Sequence, residues 1–199
     1  MISLALGDLA HTDTSNVEGV SVDGVKYADV DNVAKVDEVA KVLLHPRSLG
    51  RVEHGSTKHF YSDGAFNLIQ LVTYLLKQTG PAHVLLTSYS IAEDSVNVLH
   101  RKVESGEILD IRFIIDNRVK SMSPKPFDVL ARSFPNCYRC RAIHAKVALV
   151  YNDEWKITVI GSQNATRNPK LERGIIHTDE DVFNFDLKIL EYEFNQGTT

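Results

Sequence analysis

The sequence is poor in cysteine and contains no long apolar run. Two cysteines among 199 residues cannot build the disulfide framework of a small secreted domain, so we expect a reducing, cytoplasmic setting. No stretch approaches the roughly 20 apolar residues that a membrane-spanning helix needs, so we expect no membrane partner. The first residues lack a basic region and reach an acid at Asp8, which is not the pattern of a secretory signal.

Charge is distributed unevenly along the chain. The formal net charge of −4, taken alone, disfavours a nucleic-acid partner. Residues 1–40 carry eight acids against two lysines, and residues 178–199 carry six acids against one lysine. Residues 117–148, in contrast, carry seven lysines and arginines against one acid. This basic stretch is either a solvated face or a surface that holds phosphates.

Apolar strands and amphipathic helices alternate from about residue 58 onward. The alternation predicts an α/β layer with a mixed, largely parallel sheet flanked by helices, into which a hairpin of 143–151 and 155–160 is inserted. We therefore assign 58–199 to a catalytic domain and 1–57 to an N-terminal extension of unclear structure. Valines at 17, 20, 22, 25 and 30 suggest short strands or an extended arm in that extension.

Two short motifs stand at the two ends of the predicted hairpin. His144 and Lys146 lie two residues apart, so on a strand they share one face. An imidazole can attack or carry a proton, and an ammonium can neutralise the oxygens of a phosphate. The partner strand ends in Gly161, and Ser162 and Asn164 after it offer a hydroxyl and an amide. Antiparallel pairing would bring both motifs together. Alone, a His-x-Lys pair is more often two exposed polar residues, and a Gly-Ser-x-Asn sequence is a common turn.

This arrangement resembles the phospholipase D superfamily. The resemblance rests on His144-x-Lys146, a hydrophobic strand, Gly161-Ser162-x-Asn164 and the downstream Glu172, and residues 84–91 and 111–116 look like the first βαβ unit of that fold. It implies that His144 forms a covalent phosphohistidine and that Lys146, Ser162 and Asn164 bind the phosphate. Glu172 would hold the imidazole of a partner histidine, or else be an ordinary surface acid.

Only one such pair of motifs occurs in the chain. The resemblance therefore implies the branch with a single His-x-Lys motif, similar to bacterial nucleases that build one site from two subunits, and a homodimer is expected. We expect a metal-independent endonuclease without cofactor or metal, which binds DNA or RNA through basic residues 118–146 and 167–173. A lipid-active phospholipase D or phosphatidyltransferase and a catalytically decayed nucleic-acid-binding module are the alternatives.

Tyr151 departs from the family pattern, which places an aspartate five residues after the lysine. Asp153 has the same strand parity and is a possible substitute. This departure weakens the prediction of activity more than it weakens the prediction of the fold. A second open point is the pair Cys137 and Cys140, which we expect to be buried thiols rather than zinc ligands, since a structural zinc site needs four ligands.

Overall fold

The computed structural model describes residues 32–199 and contains seven strands and six helices in that range. The strands are β1 (Thr57–Ser62), β2 (Ala82–Ser88), β3 (Ile108–Asp116), β4 (Tyr138–Arg141), β5 (Lys146–Tyr151), β6 (Lys156–Gly161) and β7 (Glu172–His177). The helices are α1 (Asn32–Leu43), α2 (Leu68–Thr79), α3 (Glu93–Glu104), α4 (Val119–Met122), α5 (Pro124–Ser133) and α6 (Glu180–Gln196). The valine-rich part of the predicted extension, residues 17–30, lies outside the described residues.

All seven strands form one sheet in the order β1-β7-β6-β5-β2-β3-β4. Only β2 with β3 and β3 with β4 pair in parallel, whereas the other four pairings are antiparallel. The expectation of a largely parallel sheet was therefore wrong, and the sheet is mixed and mostly antiparallel. The reason is that β5, β6 and β7 follow one another as a meander without helical crossovers, and β1 closes that edge.

Helices cover the two faces of the sheet unequally. Helices α1, α2, α3 and α5 contribute to the larger core on one face, and α6 packs alone on the other. Strand β5 shows the division, because Ala148 and Val150 join the larger core while Val147 and Leu149 join the α6 side. This is the two-residue alternation of a strand that is buried on both faces.

Helix α2 begins several residues after Ser62-Asp63-Gly64, although that sequence also offers N-cap side chains. Asn67 caps the helix instead, by accepting from the backbone N–H groups of Ile69 and Gln70. The Gln70 side chain accepts in return from the Asn67 N–H at 2.8 Å, which completes a capping box. The helix ends where Gly80 takes a positive φ of 71°, as expected from Gly80-Pro81.

Helix α1 belongs to the same core as the helices that follow it. Its residues Val39, Ala40 and Leu43 are buried in the larger core. Beside them, the fully buried ammonium of Lys102 on α3 donates to Asp37 of α1 at 3.1 Å and to Glu107 at 2.9 Å. This ionic cluster ties α1 to the end of α3. The division of the chain at residue 57 stays a prediction.

Candidate functional site

Five strand ends meet at one edge of the sheet. Strands β2, β3 and β6 finish there, and β5 and β7 begin there, because β5 runs antiparallel to both of its neighbours. His144 precedes β5, Lys146 opens it, Ser162 and Asn164 follow β6, and Glu172 opens β7. The structure thus gathers all five predicted site residues at this edge.

His144 and Lys146 form the centre of the cluster. The Lys146 Nζ lies 3.2 Å from Nδ1 and 3.4 Å from Nε2 of the His144 ring, and it donates to the His144 carbonyl oxygen at 2.6 Å. Lys146 is only 7% exposed, whereas His144 is exposed to solvent. A buried cation therefore lies directly beside an accessible imidazole, as the shared strand face had suggested.

The Thr87 hydroxyl holds the chain on either side of Lys146. It donates to the carbonyl oxygen of Ala145 at 2.9 Å and accepts from the Val147 N–H at 3.0 Å. These bonds continue the β2–β5 ladder beyond its last backbone pair, Leu86 with Ala148. The predicted strand began at residue 143, but β5 begins at Lys146, so His144 lies in the segment just ahead of the strand.

Glu172 is buried and fully engaged within its own chain. Its carboxylate accepts from the Ser162 hydroxyl and from the Asn168 side-chain amide. The Ser162 oxygen also accepts from the Arg173 N–H at 3.0 Å, which fastens the end of β6 to β7. Ser162 and Glu172 were expected to act separately on phosphate and histidine, but here they form one hydrogen-bonded unit.

Asn164 has a fixed orientation. Its side-chain oxygen accepts from the Tyr89 N–H at 3.2 Å and lies 3.4 Å from the Ser88 hydroxyl. The same hydroxyl accepts from the Ala165 N–H at 3.0 Å, so the end of β2 holds the whole turn. Because the oxygen is occupied, the donor that Asn164 can offer a ligand is its Nδ2 group.

Three further side chains surround His144 and were not foreseen. The Tyr89 ring meets the His144 ring edge-on with 4.8 Å between centroids, and the Arg118 guanidinium lies 4.5 Å from the Tyr89 ring centre. Asp116 binds Arg118 at 2.8 Å and accepts from the Ile143 N–H at 3.2 Å. Tyr89 follows β2 and Asp116 ends β3, and the carboxyl ends of parallel strands are where α/β proteins bind ligands. The position of Tyr89 and Asp116 at the carboxyl ends of predicted strands was the feature of the sequence that could have identified them.

Burial governs the electrostatics of Lys146. Desolvation lowers the pKa of its ammonium below the usual lysine value, and the charges of Glu172 and Asp116 act in the opposite direction. Asp116 itself has a lowered pKa, chiefly because its carboxylate accepts hydrogen bonds from Arg118. The cluster therefore combines a nucleophilic ring with a weakly hydrated cation, which suits the binding of a tetrahedral anion.

Solved structures with this architecture share the arrangement of strands and helices. Nuc from Salmonella typhimurium, a phospholipase D family member, superimposes with a TM-score of 0.53 at 17% identity, over 71% of this chain and 95% of Nuc. The chain has a phospholipase D-like fold. No family model matches the sequence, and no curated protein matches it.

The same fold occurs in proteins with other names. Polyphosphate kinase from Porphyromonas gingivalis matches with a TM-score of 0.56 at 14% identity, and the match spans 80% of this chain but only 29% of the kinase. The archaeal chromatin protein TrmBL2, described with a novel mode of DNA binding, matches with a TM-score of 0.51 at 9% identity over 82% of this chain and 60% of TrmBL2. At these identities the likeness establishes the fold alone.

Tyr151 stands far from the site on the phospholipase D-like sheet. It lies five residues along β5 from Lys146, which is about 17 Å at the rise of a strand. Its hydroxyl accepts from Arg112 at 3.2 Å, and its ring packs against His83 and Phe183. Asp153, the possible substitute, is exposed in the turn after β5. Position 151 therefore anchors the far end of β5 and touches no residue of the candidate site.

The two cysteines lie on β4 and just before it. Cys137 and Cys140 are free thiols, and Cys140 is buried on β4. Within residues 32–199 no group of three or more His, Cys, Asp or Glu residues is arranged to hold a metal ion. In the same range no helix is both long and apolar enough to cross a membrane.

Cations of the predicted basic stretch are largely engaged within the protein. Three of them form ion pairs, Arg118 with Asp116, Lys125 with Glu93 and Arg141 with Glu193. Around residues 167–173 the pattern differs. The Arg173 guanidinium contacts the His59 ring nitrogen at 3.2 Å and lies 6.0 Å from the centre of the Tyr61 ring, and no acid within residues 34–199 forms an ion pair with it.

Proposed function

We propose that the protein is a phosphodiesterase and, more specifically, a metal-independent endonuclease. The observation that carries the proposal is the His144 ring 3.2 Å from the buried Lys146 ammonium, with Ser162, Asn164 and Glu172 at the same sheet edge. The phospholipase D-like fold, which Nuc shares, supports the general kind of chemistry. The two unbridged thiols fit the cytoplasmic setting expected from the sequence.

The proposed reaction has two steps. A nitrogen of His144 attacks phosphorus, the bond from phosphorus to the leaving oxygen breaks, and that oxygen takes a proton from a second histidine. Water then attacks the phosphohistidine and loses its proton to the same second histidine, which releases His144 and a phosphate monoester. Lys146 stabilises the charge on the non-bridging oxygens in both steps. The Nδ2 group of Asn164 donates to one of these oxygens.

We infer that a second copy of the chain supplies the second histidine. The sequence contains one His-x-Lys motif, so a two-fold axis is the simple way to bring two His144 rings together. Helix α6 supports this part of the proposal, because Phe185, Ile189 and Tyr192 are exposed on one helical face at spacings of four and three residues. Apolar side chains in such a row are typical of a surface that another chain covers.

The substrate proposed is DNA or RNA. Arg173 and the exposed Lys170 lie beside Glu172, and Tyr61 adds an exposed ring to which a base can stack. We therefore place the nucleic-acid path over β1 and β7 rather than along the internally paired cations of 118–146. TrmBL2, a DNA-binding protein with this fold, favours a second candidate function, a nucleic-acid-binding module without hydrolysis.

A plasmid-nicking assay in EDTA tests the proposal. The wild-type protein should nick the plasmid, His144→Ala should not, and the matched control His100→Ala, a partly exposed histidine on α3, should behave as wild type. Binding without cleavage by all three proteins would reject the nuclease and leave the binding module. Release of headgroup from phosphatidylcholine vesicles, with intact plasmid, would assign the site to lipid instead.

Sedimentation at micromolar concentration tests the shared site. We expect a dimer, and the double variant Phe185→Glu/Ile189→Glu should sediment as a monomer and lose nicking activity. A monomeric wild-type protein that still cleaves would contradict the shared site while leaving His144 as the nucleophile.

A further inference from the structure

Gln163, between Ser162 and Asn164, has a buried side chain without hydrogen bonds. It is 3% exposed, and within the described residues neither its Oε1 nor its Nε2 has a partner. An unpaired buried amide destabilises a protein, so native structures rarely keep one without a functional reason. In the motif Gly161-Ser162-x-Asn164 this position is the variable residue, to which the motif assigns no role.

Gly161 provides the space that this amide occupies. A Cβ atom added at Gly161 would lie 2.3 Å from the Gln163 Oε1, so any other residue there would displace the amide. Gly161 is paired with Lys146 on β5 and with Gly174 on β7, and directly paired residues direct their side chains to the same face. The Gln163 amide therefore lies on the face of the sheet from which the Lys146 side chain projects.

Lys146 needs an acceptor on that face during the reaction. In the arrangement described here its ammonium is bonded to the carbonyl oxygen and the ring of His144. His144 cannot attack phosphorus with a ring nitrogen that Lys146 occupies, so the ammonium must turn away from the ring. An ammonium carries three N–H donors, and the phosphate oxygens it then meets leave at least one of them to be satisfied by the protein.

The other groups around Lys146 are already committed. Glu172 accepts from Ser162 and Asn168, and Asp116 is held by Arg118 and by the Ile143 N–H. The Tyr89 ring presents its face to the ammonium at 5.5 Å and offers no lone pair there. The Oε1 of Gln163, in contrast, accepts no hydrogen bond at all within the described residues.

We propose that Gln163 is a positioning residue, whose Oε1 accepts an N–H of Lys146 when the ammonium leaves the His144 ring to engage a phosphodiester. This inference rests on the proposed function, since it concerns the same site. It explains together why a polar side chain is buried unpaired and why residue 161 has no side chain. Gln163 itself touches no substrate, because it is buried beneath the surface of the site.

The variant Gln163→Met tests the proposal because it keeps the length of the side chain and removes the amide. We expect a higher melting temperature, since the unpaired polar group is gone, together with a kcat lower by about ten-fold and an unchanged KM. The matched control is Thr158→Val on β6, where a fully buried hydroxyl also lacks a partner within the described residues but faces α6. This control should raise the melting temperature and leave kcat unchanged.

Titration of Lys146 by NMR of 13C-labelled lysine separates this inference from the proposed function. With inorganic phosphate bound at the site, the proposed acceptor favours the ammonium form, so the Lys146 pKa in that complex should be lower in Gln163→Met than in the wild type, and unchanged in Thr158→Val. Equal Lys146 pKa values in the wild type and Gln163→Met would overturn the positioning role, whether or not plasmid is cleaved. A lower Lys146 pKa in Gln163→Met, with no cleavage by the wild type, would keep the positioning role and reject the nuclease.

Discussion

Two lysines are buried among the residues that the structure describes, and their surroundings differ in kind. Lys102 is fully buried, and its ammonium lies 3.1 Å from the carboxylate of Asp37 and 2.9 Å from that of Glu107. Lys146 is 7% exposed, and no carboxylate of residues 34–199 bonds to its ammonium, which contacts the ring and the carbonyl oxygen of His144. Carboxylates in direct contact balance the charge of Lys102, whereas the charge of Lys146 has no such partner.

The difference teaches how a structural cation is told from a functional one. A buried charge that serves packing must be paired, because an unpaired one costs several kcal/mol. A buried charge that serves binding is left incompletely paired so that an anion can complete it. Exposure alone does not separate the two lysines, but the identity of their acceptors does.

Removing each of the two ammonium groups in turn should give the largest difference in cleavage rate. Lys146→Met should slow phosphodiester cleavage by about 100- to 1000-fold, because one stabiliser of the transition-state charge is lost. Lys102→Met, assayed below its melting temperature, should cleave within about two-fold of the wild type. Single-turnover cleavage of a labelled oligonucleotide measures both, and equal losses in the two variants would remove the distinction.

Neutralising the partners of Lys102 should chiefly affect stability. The double variant Asp37→Asn/Glu107→Gln leaves a buried ammonium without a counter-charge, so we expect the free energy of unfolding to fall by about 3 kcal/mol. Asp110→Asn is the matched control, because Asp110 is half exposed and lies 3.8 Å from Arg112, and its loss should cost less than about 0.5 kcal/mol. Urea titration followed by circular dichroism compares them.

The pH dependence should identify Lys146 as the charge that catalysis uses. Because burial lowers its pKa, cleavage should decline with rising pH before the usual lysine value of about 10.4 is reached. Lys146→Arg should remove that decline, since a guanidinium stays protonated throughout this range. A pH–rate profile in which Lys146→Arg and the wild type decline together would assign the titration to another group.

The lowered pKa of Lys146 also determines how protein stability changes with pH. A lysine whose pKa is lower in the folded state destabilises the fold while it is protonated, and this penalty disappears as pH rises from the folded to the unfolded pKa. The stability advantage of Lys146→Met over the wild type should therefore be largest near neutral pH and shrink as the pH approaches about 10.4. Thermal melts at several pH values show whether it does.

A substitution at the far end of β5 should have the smallest effect on stability and cleavage. Tyr151→Phe removes the hydroxyl that accepts from Arg112, so the free energy of unfolding should fall by about 1 kcal/mol or less. Cleavage should stay within about two-fold of the wild type, because the side chain is remote from Lys146. A large loss of activity with intact folding would show that position 151 influences the site after all.

Local patterns in the sequence predicted most elements well. The apolar run of residues 108–116 predicts strand β3 with its observed ends, and the helical pattern of residues 93–105 predicts α3 to within one residue. The hairpin of β5 and β6 was also predicted, and its antiparallel pairing brings Lys146 beside Gly161 as expected. Apolar residues recur at regular spacing in these elements, and recognisable residues mark their ends. Both features can be read from the local sequence.

The predictions that failed concern features that depend on contacts between residues distant in the sequence. Strand β5 is buried on both faces, and such an apolar run does not reveal whether its neighbours are parallel or antiparallel. Strand β4 has four residues, two of them arginines, and is defined by pairing with β3. The start of β5 was misplaced because the Thr87 side chain, rather than backbone, continues the ladder beside Ala145.

The sequence predicted that the candidate residues lie together at one edge of the sheet, but not how they contact one another. His144 and Lys146 stand at one end of the predicted hairpin and Ser162 and Asn164 at the other, so antiparallel pairing is enough to bring them together. The pairing of Ser162 with Glu172 and the contact of Tyr89 with His144 arise from tertiary packing. No local pattern encodes the unpaired state of Gln163, because it is visible only when every neighbour is placed.

The pairing of β1 with β7 bears on when the site can form. Thr57 faces His177 and Ser62 faces Glu172, so this edge joins residues more than a hundred positions apart. Closing so long a loop costs entropy before any contact is gained, which makes such pairings late events in folding. A nascent chain that has emerged only as far as the β5–β6 hairpin already has His144 and Lys146, yet it lacks the strand that carries Glu172. The complete set of candidate site residues can therefore form only after synthesis has passed β7.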